Sequence, residues 1–155
     1  MRMREYYVNG IGFYTDDISG EALSIFLFRT HKDTLPKINN RPLTRRLTNL
    51  SSELAASPEY NEDDILDGVM DCTNSGTYAE AVSEVMSTEL GIRISFAGMD
   101  ENGKEAVFFE ARYPWRQQYS KKEKTLSRES LKEMLEPYAK ELGRHVEDIQ
   151  LRFYS

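Results

Sequence analysis

The stretch Ala22-Leu23-Ser24-Ile25-Phe26-Leu27-Phe28-Arg29-Thr30 decides how the first third of this 155-residue chain is built. A short apolar run is compatible with a buried strand or with a helix segment, and periodicity alone does not separate the two. Residues 6–14 before it, rich in Tyr, Val, Ile and Phe, read as a strand, with Gly10 and Gly12 marking a bulge or a close backbone approach. Residues 15–21, with Asp16, Asp17, Ser19 and Gly20, read as a turn. The strand reading of 22–30 therefore makes an N-terminal hairpin, and it is the reading adopted. Beyond it, Pro36, Pro42 and the Asn39-Asn40 pair break any regular element over 33–42.

The period then changes. Leu43, Leu47, Leu50 and Leu54 recur at helical spacing until Pro58. A second helix is expected over 61–72, with Asn61 as its cap and Glu62, Asp63 and Asp64 near the positive end of its dipole. Thr77 and Glu80 form a capping box for a third helix, which stops at Gly91. Residues 92–99 alternate as a strand, and Asp100-Glu101-Asn102-Gly103 turns the chain into a partner strand over 105–113. After Tyr113-Pro114-Trp115 and a basic connection, a fourth helix is capped by Ser127 or Thr125, kinked or interrupted at Pro137, and stopped by Gly143. Ile149, Leu151 and Phe153 alternate in a last strand. The expected fold is α+β in one domain spanning 1–155: a mainly antiparallel sheet of about five strands, about four helices, and hairpins near both ends of the chain.

Composition narrows the function classes. A chain of this length buries about 70% of its unfolded surface, so it needs neither a metal nor a disulfide to fold. The lone Cys72 forbids an internal disulfide framework and fits a reducing cytoplasm. The apolar run Ile25-Phe26-Leu27-Phe28 falls far short of the roughly 20 residues that span a bilayer, so no membrane association is expected. Nucleophile elbows, phosphate loops and paired-histidine metal motifs are absent, and Gly10-Ile11-Gly12 lacks the rest of a dinucleotide fingerprint. Neither cofactor nor metal is expected, and the protein reads as a non-enzyme.

The net charge of −6 is unevenly spread. Residues 1–50 carry eight basic and five acidic groups, residues 51–110 two and fourteen, and residues 111–155 ten and seven. Asp63, Asp67 and Asp71, spaced i, i+4, i+8, share one face if their segment is helical, and no basic residue lies between Arg46 and Arg93. With Glu59, Glu62 and Asp64 they form a negative surface suited to a basic protein partner, and the same charge argues against nucleic acid. Tyr113 and Trp115, set among Arg112, Arg116 and further basic residues, have the composition of a protein-binding hot spot. The alternative is a small-ligand binder or enzyme whose pocket lies between sheet and helices and uses Tyr, Glu or His145. A structural homo-oligomer is the third reading.

The string Tyr113-Pro114-Trp115, then Lys122-Glu123-Lys124-Thr125-Leu126-Ser127 leading into a helix, resembles the C-terminal portion of small accessory proteins of Gram-positive phages and integrative elements. The resemblance covers about the last 45 residues. It implies a setting in which small acidic proteins inhibit host-defence nucleases, as antirestriction and anti-CRISPR proteins do. The acidic segment and the missing catalytic motifs lead, in that setting, to the expectation of a basic partner such as the nucleic-acid groove of a nuclease effector.

Overall fold

The computed structural model describes residues 4–38, 41–56, 62–73, 78–110, 123 and 125–154. Strand β1, Glu5–Tyr14, leads to helix α1, Gly20–Ile25, which widens into a π-helical turn, Phe26–Thr30, followed by a 3-10 turn, Leu35–Lys37. Three helices follow: α2, Arg41–Ala56; α3, Glu62–Cys72; and α4, Tyr78–Leu90. Strands β2, Ser95–Ala97, and β3, Ala106–Glu110, then precede helix α5, Arg128–Glu141, and strand β4, Glu147–Tyr154. The four strands form one antiparallel sheet in the order β2-β3-β1-β4.

Residues 22–30 are helical, which corrects the expected N-terminal hairpin and exchanges the fifth strand for a fifth helix. Ser19 takes an extended conformation and its hydroxyl accepts the Ala22 N–H, so the chain enters a helix at the point where a strand was expected to start. Leu23, Phe26 and Leu27, spaced i, i+3, i+4, are buried, while Ile25 and Arg29 are exposed. β1 has no free edge to offer over Gly10–Gly12, because β3 pairs with Gly10 to Tyr14 on one side and β4 with Glu5 to Gly12 on the other.

Gly10 and Gly12 mark a close approach and no bulge: the pairing runs through both without a skipped residue. A Cβ on Gly12 would stand 2.0 Å from the Val107 carbonyl oxygen and 2.6 Å from the Phe108 Cα. These are backbone atoms of a paired strand, so neither can yield. The expected strand over 92–99 shortens to Ser95–Ala97. Its connection to β3 is longer than a two-residue hairpin, with Gly103 alone taking positive φ (+71°). Pro137 lies inside α5 without interrupting it, and its side chain is exposed.

The helices pack on one face of the sheet over Ile11, Phe13, Val107 and Phe109. The other face carries a second small core of Ala106, Phe108, Ile149 and Leu151. The outer edge of β4 is capped from within the chain. The Gln150 N–H reaches the Tyr14 hydroxyl (3.3 Å), the Arg152 N–H donates to Asp100 Oδ2 (2.9 Å), and the Arg152 carbonyl accepts the Glu101 N–H (3.0 Å). Edge groups satisfied in this way are closed to pairing with another strand.

Candidate functional site

The segment expected to carry the acidic surface is α3, helical over Glu62–Cys72. Asp67 and Asp71 are exposed one turn apart, with Met70 exposed (39%) beside them. Asp63 lies one turn earlier on the same helical face, and Glu62 and Asp64 flank it in the first turn. The side chains of Glu62, Asp63 and Asp64 lie outside the described residues, as do Glu59, Tyr113 and Trp115 altogether. Val69, on the inward side, is fully buried. Gly68 lets α3 approach α2 closely, since a Cβ there would meet the Leu50 Cδ2 at 2.5 Å. That approach brings Arg46 and Glu53 of α2 into one groove of about 320 Å³ with Asp71, so the helix that has no cation nearby in sequence gains one in space.

Several of the remaining acidic residues of 51–110 do not extend this face. Glu80, Asp100 and Glu105 are buried. Glu84 is half-buried, and burial together with Glu80 pushes its carboxyl up. Asp100 is structural: burial opposes its charge, but the N–H groups of Arg152, Lys104 and Asn102 outweigh that and hold its carboxyl below the ordinary range.

Glu105 is the opposite case. It sits at 7% exposure at the start of β3, and its Oε1 accepts a 3.3 Å hydrogen bond from the Thr15 hydroxyl. Burial pushes its carboxyl up to about 7, with Asp16 and Asp17 adding to the rise against the hydrogen bond from Thr15. Tyr78, at the start of α4, is raised by burial and by the negative charges of Glu105 and Asp67.

Sequence reasoning missed a third cluster, centred on His31. The π-helical turn places its backbone N–H on the Phe26 carbonyl (3.0 Å) and its ring 4.4 Å from the Phe26 ring. Ring Nδ1 lies 2.8 Å from Glu89 Oε2 on α4, and Nε2 lies 2.7 Å from Glu141 Oε2 on α5. The ring also stacks on Tyr138 (5.5 Å, 21°). The Thr34 hydroxyl donates to Glu89 Oε2 (2.5 Å) and the Tyr138 hydroxyl to Glu89 Oε1 (2.9 Å). Burial alone would raise the Glu89 carboxyl, yet the hydrogen bonds from Thr34, His31 and Tyr138 hold it below the ordinary range. The Tyr138 phenol is pushed well up by burial and by its bond to Glu89. His145, the other histidine, is exposed and pairs with Glu147 (3.0 Å).

A cavity of about 550 Å³ opens beside the sheet and the start of α5, lined by Ile11, Phe109, Leu131 and, from the edge strand, Ile149, with the Arg128–Asp148 pair (2.6 Å) among its lining. Among the described residues, no group of three or more His, Cys, Asp or Glu side chains is arranged to hold a metal ion, and no helix is long and apolar enough to cross a membrane. No protein-family model, curated protein or solved structure matches this chain.

Proposed function

We propose that this protein is a non-enzymatic binding protein that sets the carboxylate row of α3 against a basic protein surface, of the kind that lines the nucleic-acid groove of a nuclease. The observation that carries the reading is the exposure of Asp67 and Asp71 one helical turn apart, on a helix whose backbone puts Asp63 in the same row. Carboxylates repeating about every 6 Å along a helix axis match the spacing of cations built to hold a phosphate backbone. The fold supports the row from behind through Val69 and the α2–α3 contact, so charge reversal at its exposed positions leaves the packing intact.

The test is the combined variant Asp63→Lys, Asp67→Lys and Asp71→Lys, compared with wild type for capture of a partner from the native host. Loss of capture is expected, with thermal unfolding changed by less than about 0.5 kcal/mol. Equal capture by both proteins at moderate salt refutes the reading. The cavity beside α5 favours a second reading, a small-ligand binder: its volume lies within the roughly 300–1,000 Å³ typical of ligand pockets, and Ile11, Phe109, Leu131 and Ile149 give it apolar walls. Filling it with Leu131→Trp abolishes the binding of an apolar probe under that reading and leaves partner capture unchanged under the first.

A further inference from the structure

We infer that His31 is a proton-operated pin: its doubly protonated ring ties the C-terminal ends of α4 and α5 to the turn after α1, and loss of one ring proton frees the end of α5. A carboxylate oxygen can only accept when ionised, so a ring that bonds carboxylates through both nitrogens must donate through both. A neutral imidazole has one N–H. The 2.8 Å and 2.7 Å contacts to Glu89 and Glu141 therefore describe an imidazolium between two carboxylates.

The nearest charges and helix ends favour a cation at this point, while burial of the ring opposes one. Glu89 lies in the last turn of α4 and Glu141 closes α5, where the negative ends of two helix dipoles make an anion unwelcome and a cation favourable. The ring is met by Glu89 from α4 and by Glu141 and the Tyr138 face from α5, and on its own segment it packs on Phe26, while Thr34 joins it on Glu89. Among the described contacts, the two carboxylates are the charged groups that touch it, and Tyr138 is the one further titratable group.

The two carboxylates are not equivalent. Glu89 keeps the Thr34 and Tyr138 hydroxyls whatever the ring does. Glu141 is the more exposed of the two, a third open to solvent, and can swing into water. When the ring becomes neutral, its remaining proton stays on Nδ1 toward Glu89, and the Nε2 lone pair faces Glu141. That contact turns from attraction to repulsion, so the cheapest response is release of Glu141 and, with it, the last turn of α5.

The experiment is a pH titration of the full chain followed by nitrogen-resolved NMR of both histidine rings, with hydrogen exchange of the α5 amides corrected for intrinsic rates. The expected result is that both His31 ring nitrogens carry protons wherever the last turn of α5 is protected from exchange. The step that removes one should coincide with about tenfold faster exchange in the last turn of α5, equivalent to about 1.4 kcal/mol. Glu141→Gln, which keeps an acceptor without its charge, moves that step to lower pH, and His145→Gln leaves it in place. A single-tautomer His31 ring while the last turn of α5 is still protected, or α5 exchange that ignores the ring's protonation, overturns the inference. Because the wild-type titration decides the matter, the result stands even if a His31 variant does not fold.

Discussion

Glu89 and Glu105 are both glutamates at partly dry positions where helices meet neighbouring segments, and they titrate in opposite directions. Glu89 is held low because three donors, the Thr34 hydroxyl, the His31 ring and the Tyr138 hydroxyl, converge on its two oxygens. Glu105 is pushed up to about 7 because burial finds one long hydrogen bond from Thr15 to oppose it and two aspartates beside it. Burial raises both carboxyls, and only at Glu89 is that rise overcome. What decides is the number of donors and the sign of the nearest charges, since an ionised carboxylate needs both to replace water.

Removing the His31 ring breaks the comparison most severely. His31→Ala leaves Glu89 and Glu141 at two converging helix ends with no ring between them, and is expected to cost about 2 kcal/mol, read as a lower denaturation midpoint.

Glu105→Gln tests the other side and carries a pH signature. The folded-state value of about 7 lies above the ordinary glutamate value of 4.5, so the folded protein favours the neutral acid. The cost of the charged form is absent below about pH 4.5, grows as pH rises, and is complete above about 7. The variant should therefore match wild type near pH 4.5 and exceed it by about 1 to 2 kcal/mol at pH 8, a figure discounted for partial solvent screening. Equal stability of the two proteins at both pH values would place Glu105 in a wetter site than the structure shows.

The smallest change sharpens the comparison by removing one donor. Tyr138→Phe takes its hydroxyl from Glu89 Oε1, with an expected loss of about 1 kcal/mol and an upward shift of the Glu89 carboxyl seen by NMR.

Much of the secondary structure is legible in residue patterns. The Leu43 and Leu47 spacing announces α2, and both residues are buried. Ile149 and Leu151 alternate with Gln150 in β4 as a half-buried strand must. The Ser127 cap opens α5, and its hydroxyl accepts the Ser130 N–H. The acidic row is legible as a helical face, but its neighbour Arg46 is not, because the α2–α3 groove that joins them is a tertiary contact. The error at residues 22–30 has a local clue, the capping hydroxyl of Ser19, which an apolar run rich in Ile and Phe outweighs when propensity alone is read.

Local pattern thus determined most helices and strands of this protein and the uneven distribution of its charge, because periodicity and capping act over a few residues. Tertiary structure alone decided that β1 is paired on both sides over Gly10–Gly12, and which charges meet. His31 reaches Glu89 across 58 residues and Glu141 across 110, and Thr15 reaches Glu105 across 90. Coulomb and hydrogen-bond energies depend on distance in space and on the water excluded between the groups, and neither is written in their order along the chain.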